Sequence, residues 1–191
     1  MAFRFKLPLL MLCVCLMGIA CASAQDKDQG KPAPAVEPAP AVAPSAASLP
    51  DAPDFEAKDL NGKTFHLKDF RGKAVVLNFW AIFCVPCKTE MPWLNEFQNQ
   101  YKDQGLVVLG ISVFDDAASI RKFAKSVGAE YTMAAGDSTL EDLYPASGMP
   151  YTIYIDRNGK IVDKVTGLKK RDVIEDEIKR ILATEAAPAA K

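Results

Sequence analysis

Cys84 and Cys87 stand two residues apart where a run of apolar, largely β-branched residues gives way to a candidate helix. The run Ala74–Trp80 is apolar except for Asn78. So continuous a pattern suits a central strand covered on both faces. Residues 85–104 read as a helix, with Met91, Trp93, Leu94 and Phe97 gathered on one side. Pro86 falls in the first turn, where its missing N–H costs little. Pro92 is expected to kink the helix, because its ring clashes with the preceding turn. A thiolate is the reactive form of cysteine, and a helix start favours negative charge. In such a position a thiol's pKa falls from ~8.5 into the range ~3.5–7.5. The spacing also lets the second thiol attack a mixed disulfide formed at the first. The competing reading is half a zinc site, which needs four ligands. Beyond this pair the chain offers His66, its single histidine, and no second pair at such spacing. Redox chemistry is therefore the reading of this pair.

The other cysteines, Cys13, Cys15 and Cys21, lie in a segment of a different kind. Arg4 and Lys6 precede an apolar stretch over residues 7–20, and Ala22-Ser23-Ala24 follows. This order is expected of a secretory signal peptide over residues 1–24, cut before Gln25. Two other fates stay open. Cys21 could carry a lipid, although Gly18 stands where a lipobox wants an aliphatic residue. The segment could also remain as an uncleaved anchor, although its apolar part is short beside the ~20 residues of a spanning helix. In each case the protein is expected to be exported, to the periplasm or the outer face of the cytoplasmic membrane. One close cysteine pair in an exported chain reads as a working couple, since a disulfide framework needs more cysteines at wider spacing. Residues 25–50 are rich in alanine and proline and are expected to form a disordered linker. The net charge of −1 gives no sign of a nucleic-acid partner.

The folded part is expected over residues 51–184, with a flexible tail over 185–191. Asn61-Gly62 lies between short extended segments and signals a hairpin. Residues 106–113 read as a second buried strand, and Ile120, Phe123, Ala124 and Val127 recur at helical spacing. A short strand over 131–134 and a short helix over 140–144 follow. Strands on either side of Asn158-Gly159 form another hairpin, and Val173, Ile174, Ile178, Ile181 and Leu182 mark a closing helix. The order is hairpin, βαβα, βα, hairpin, helix. It implies an α/β domain with a mixed central sheet and helices on both faces. The cysteine turn then sits at the carboxyl end of a central strand, where open α/β sheets place their sites. His66 reads as structural within its hairpin.

Trp80-Ala81-Ile82-Phe83-Cys84-Val85-Pro86-Cys87, continued by Lys88-Thr89-Glu90-Met91-Pro92, resembles the thioredoxin superfamily in its extracytoplasmic TlpA/ResA branch. The resemblance covers about residues 51–182. It implies a thioredoxin-like fold with an N-terminal β-hairpin and a central insertion, and a thiol–disulfide oxidoreductase acting through a Cys84–Cys87 redox disulfide without a cofactor. It implies that Pro150 is cis and lies across from the cysteines, with Met149 offering its backbone to an extended substrate. Trp80, Phe83, Val85 and Pro86 are expected to complete the substrate-binding surface. Phe83 departs from the tryptophan usual before the first cysteine, and Tyr151 from the threonine usual after the proline. In cytosolic thioredoxins a buried aspartate occupies the position of Asn78. The TlpA/ResA branch pairs Asn here with a glutamate three residues past the second cysteine, matched by Glu90. On a helix Cys87 and Glu90 share a face. A half-buried carboxylate has a raised pKa suited to proton transfer.

The expected function is therefore reduction of exported protein disulfides. The resemblance implies apocytochrome c among the substrates, and re-reduction by a membrane electron donor of the DsbD/CcdA kind. Two alternatives stand beside it. A peroxiredoxin-type peroxidase wants Thr or Ser three residues before its cysteine, where this chain has Ala81. A Sco-like copper-binding assembly factor wants a C-x-x-x-C pair with a distal histidine, and the spacing here is one residue shorter.

Overall fold

A computed structural model describes residues 49–187. The expected signal peptide, the lipidation candidate Cys21, nearly all of the expected linker and the last tail residues lie outside the described part. The elements run β1 (Glu56–Asp59), β2 (Thr64–His66), β3 (Ala74–Trp80), α1 (Val85–Tyr101), β4 (Leu106–Ser112), α2 (Ala117–Val127), β5 (Thr132–Ala135), α3 (Ser138–Leu143), β6 (Tyr151–Ile155), β7 (Ile161–Thr166) and α4 (Arg171–Leu182). They form one seven-stranded sheet in the order β2-β1-β5-β4-β3-β6-β7. β3 pairs parallel with β4 and antiparallel with β6, so the sheet is mixed and β3 is interior. This is the thioredoxin-like α/β fold read from the sequence.

Alternation along β3 sorts the core into two layers. Ala74, Val76 and Trp80 join the layer beneath α1, α2 and α4, with Met91, Leu94, Phe97, Ile120, Ile174 and Ile178. Val75, Leu77 and Phe79 join the opposite layer, with Phe55, Leu67, Leu140 and Tyr144. Every residue of β3 is buried. The unbroken apolar run has that cause, since neither face meets water. Period-two geometry also places Asn78 on the α1 side, where it becomes part of the site.

Element ends differ from the sequence reading by a few residues, each for a local reason. α1 continues through Pro92 to Tyr101 and gives way to a 3-10 turn, Lys102–Gln104, closed by Gly105 at φ 89°. α3 begins at Ser138 rather than 140, because the Asp137 carboxylate accepts the Leu140 N–H at 3.2 Å. β5 starts one residue later than expected, and Tyr131 leads into it fully enclosed. In the first hairpin Asp59 Oδ1 accepts both Asn61 N–H (2.8 Å) and Lys63 N–H (2.9 Å), and Gly62 supplies φ 84°. Past α4 the described chain is tied to the turn before β7. Asn158 donates to the Glu185 carbonyl at 3.0 Å and accepts the Ala187 N–H at 2.6 Å.

Candidate active site

The chain leaves β3 at Trp80, makes a tight turn and enters α1 with Cys84 as its N-cap. Cys84 N–H donates to the Ala81 carbonyl at 3.0 Å. Cys84 Sγ in turn accepts the Cys87 N–H at 3.2 Å, one of the donors left unpaired at a helix start. The two sulfurs are joined in a disulfide. Both cysteines are enclosed, but unequally: Cys84 is 7% exposed and Cys87 1%. Access therefore favours Cys84.

Glu90 lies one turn further along α1 and is buried. Its Oε2 accepts from Asn78 Nδ2 at 2.9 Å, and Asn78 Nδ2 also donates to Thr152 Oγ1 at 2.9 Å. Asn78 and Thr152 are paired neighbours on β3 and β6. An amide suits this place because its NH2 group serves two acceptors at once, which a carboxylate could not. Burial pushes the Glu90 carboxyl from 4.5 up to about 7, and the Asn78 hydrogen bond pulls the other way. The group can therefore take up or give a proton near neutrality.

Of the residues expected to meet substrate, Phe83 (66% exposed) and Val85 (70% exposed) stand out from the turn, and Pro86 is exposed beside them. Met149 is half-buried, Pro150 is buried, and the bond between them is cis. Pro150 carbonyl accepts the Gly167 N–H at 2.7 Å, which ties this loop to the end of β7. Trp80 is a correction. Its ring is fully buried, stacked on Phe123 at 5.4 Å, so it supports the turn from behind and meets no substrate. The reason is strand parity: Trp80 shares the α1-facing side of β3 with Val76 and Asn78. Its Nε1 has no hydrogen-bond partner among the described residues.

Three features were not read from the sequence. Phe114, 57% exposed, meets Phe83 edge to face at 5.6 Å and widens the apolar surface beside the cysteines. Asp115 Oδ2 accepts both the Ile82 N–H (2.8 Å) and the Ser112 hydroxyl (2.7 Å), clasping the redox turn to the end of β4. Thr152 completes the polar chain behind Cys87. Only Thr152 had any signal, the one small polar residue in a strand otherwise of aliphatic and aromatic residues, close to Pro150. Tyr151, the departure noted after the proline, packs on Phe79 at 6.1 Å on the sheet face away from α1. His66 lies in the edge strand β2, its Nε2 3.5 Å from Glu56 Oε2, with three strands between it and β3.

Residues 50–164, more than half of the chain, match the AhpC/TSA family. The chain is 38% identical over 132 residues to the thiol-disulfide oxidoreductase ResA of Geobacillus kaustophilus, covering 68% of this chain and 75% of that protein. It is 35% identical over 138 residues to ResA of Bacillus subtilis, covering 72% and 77%. Among solved structures it is similar to one assigned as the thiol:disulfide interchange protein DsbE of Chlorobium tepidum. The TM-score is 0.67 and the identity 33%, covering 71% of this chain and 97% of that one. With its disulfide at the head of α1 and its sheet order in place, the chain belongs to the AhpC/TSA family, among the thioredoxin-fold thiol-disulfide oxidoreductases of the ResA type.

Proposed function

We propose that this oxidoreductase works outside the cytoplasm as a reductase of protein disulfides. Apocytochrome c is among its substrates in this reading, and a membrane donor of the DsbD/CcdA kind reduces it again. The observation that supports the exchange chemistry of this reading is the buried Glu90 one helical turn beyond Cys87, with its carboxyl raised to about 7. In the reduced enzyme the Cys84 thiolate attacks one sulfur of the substrate disulfide. A mixed disulfide forms, and the other substrate sulfur leaves as a thiolate that takes a proton. Glu90, as carboxylate, accepts the Cys87 proton. The Cys87 thiolate then attacks Cys84 Sγ, forming the Cys84–Cys87 disulfide and releasing the second substrate thiolate, which takes the proton back. Two electrons pass from the pair to the substrate, whose two thiols take one proton from solvent and one from Cys87 through Glu90, leaving the oxidised pair.

The roles of the two cysteines follow from position. Cys84 caps the helix and has the greater access, whereas Cys87 is closed in by the first turn and by the core. A peroxidase reading has less support. The residue three before Cys84 is Ala81, which is buried and has no hydroxyl to offer a peroxide. Export rests on residues 1–24, and the intact mass of the purified protein tests it: loss of those residues supports a cleaved signal, and a diacylglycerol adduct on Cys21 supports a tethered form.

The decisive experiment is a trapping gel. Cys87→Ser should accumulate a mixed disulfide between Cys84 and the partner, visible without reductant, whereas Cys84→Ser should trap little. More efficient trapping by Cys84→Ser would reverse the two roles. The trapped partner, cut from the gel, identifies the substrate.

A further inference from the structure

The peptide group between Ala81 and Ile82 is hydrogen-bonded at both ends. Its N–H donates to Asp115 Oδ2 at 2.8 Å, and its carbonyl accepts the Cys84 N–H at 3.0 Å. One unbroken chain therefore runs from a carboxylate on the loop after β4 to the backbone of the first cysteine. The same Oδ2 accepts the hydroxyl of the fully buried Ser112, so the carboxylate cannot swing out to water without stranding that group. Hydrogen bonds to an ionised acceptor are stronger than neutral ones, and bonds in a chain polarise one another. The carboxylate thus strengthens the Ala81 carbonyl as an acceptor and commits the Cys84 N–H to it. Cys84 Sγ takes its backbone donor from Cys87 instead, at 3.2 Å. Four other charged groups surround the turn. Glu90 is buried one helical turn beyond Cys87, and Lys88 holds its Nζ 5.5 Å from the Phe123 ring. Lys122 lines a hollow together with Ile82, and Asp116 is exposed and caps α2. Among the described residues, Asp115 is the charged side chain bonded to the backbone of residues 80–87.

We propose that Asp115 is a positioning residue for the redox couple: acting through the Ala81–Ile82 peptide, its negative charge disfavours the Cys84 thiolate and makes the Cys84–Cys87 pair a stronger reductant. A dithiol is the stronger oxidant when its reduced form is stabilised. A fixed negative charge two residues away and an N–H committed elsewhere both work against the thiolate, so both favour the disulfide. The clasp described above is then electrostatic as well as mechanical. The inference concerns the couple used in the proposed function, but it needs only the dithiol–disulfide equilibrium, whichever way electrons run in the cell.

The test equilibrates the protein with glutathione. The reduced pair and one oxidised glutathione give the Cys84–Cys87 disulfide and two glutathione thiols, so two electrons and both thiol protons leave the protein. Asp115→Asn keeps an acceptor oxygen for the Ile82 N–H and the Ser112 hydroxyl but removes the charge. Its equilibrium constant for oxidation should fall about tenfold at pH 9, which corresponds to about 30 mV. The fall should be smaller at pH 7, where less of Cys84 is ionised. Iodoacetamide should alkylate Cys84 of the reduced variant about threefold faster at pH 7, since a larger thiolate fraction outweighs its weaker nucleophilicity. Asp115→Ala, which removes charge and clasp together, should shift the constant in the same direction. Ser112→Ala weakens the clasp but keeps the charge, so it should unfold more easily while holding the parent's constant and alkylation rate. A constant within twofold of the parent's in both Asp115 variants, at both pH values, overturns the proposal. So does an equal shift in Ser112→Ala, because slack in the turn would then be the cause. The reductase reading fails separately, on the parent's own potential: a value at the level of a strong oxidant removes that direction and leaves the differences between variants to be judged by themselves.

Discussion

Asp115 holds the redox turn through a single oxygen. Oδ2 takes the Ile82 N–H and the Ser112 hydroxyl, at 2.8 and 2.7 Å, so the peptide two residues before Cys84 is fixed to the end of β4. Ser112 is fully buried, which makes its hydroxyl expensive to leave unpaired. Asp115→Ala removes both bonds and should cost about 1–3 kcal/mol in chemical denaturation. Asp115→Asn keeps an acceptor oxygen in the same place and should recover most of that loss. If the amide variant is as damaged as the alanine variant, the negative charge rather than the acceptor geometry is what the turn requires. Phe114, the preceding residue, leans on Phe83, so slack in this clasp should also slow exchange with protein disulfides.

At the scale of elements, β4 reveals what could and could not be read in advance. Its identity as a buried strand is plain from an apolar run, and β3 and α1 were legible for the same reason: their patterns arise from local geometry and burial. The partners that those elements bring together were not legible. Gly110 sits beside Asn78 of β3, and a Cβ there would stand 2.9 Å from Tyr131 Cε2 and 3.2 Å from Trp80 Nε1. The glycine is therefore the space that lets the Tyr131 and Trp80 rings lie close against β4 behind the redox turn. Nothing in the local sequence announces it, because Trp80, Gly110 and Tyr131 come from separate stretches. Trp80 was misplaced for the same reason: its neighbourhood with the cysteines in sequence suggested the surface, and strand parity put it inside. The Cys84–Cys87 pair could be found because its spacing is itself the chemistry, and Glu90 because the resemblance to the TlpA/ResA branch pairs such a glutamate with Asn78. Asp115 and Phe114 could not, since their roles exist only once β4 lies beside β3. Gly110→Ala should destabilise the fold by about 1–3 kcal/mol through overpacking, seen as a lower midpoint in thermal or denaturant unfolding. An unchanged midpoint would mean that the two rings yield more easily than their enclosure implies.

Across the whole molecule, Glu90 ties the pH dependence of folding to the redox site. Burial lifts its carboxyl from 4.5 to about 7 in the folded protein, against the smaller pull of the Asn78 hydrogen bond. In the unfolded chain the group titrates near its ordinary value. Between the two values the folded protein holds a proton that the unfolded chain has released. The stabilisation is therefore fully present below the unfolded value and drains away as pH rises toward 7. Its size is roughly 3 kcal/mol, from about 1.4 kcal/mol for each pKa unit. Glu177, on α4, is shifted in the same direction, chiefly by burial, and adds to the fall. Asp54, Asp116 and Glu175 are held low, so their contributions are lost only under more acid conditions and have the opposite sign. Glu90→Gln keeps the shape and the acceptor oxygen facing Asn78 but removes the titration. The oxidised parent should lose stability between pH 5 and 8, whereas the variant should lose much less and be the more stable protein at pH 8. Urea unfolding of both at the two pH values checks this, with Glu177 unchanged in each. Parallel declines would mean that Glu90 reaches water in the folded state, and its part in moving the Cys87 proton would fall with the same result. If the decline flattens as expected, the disulfide-exchange rate of the reduced parent should also lose, in the variant, its rise through pH 7, because one carboxyl group governs both.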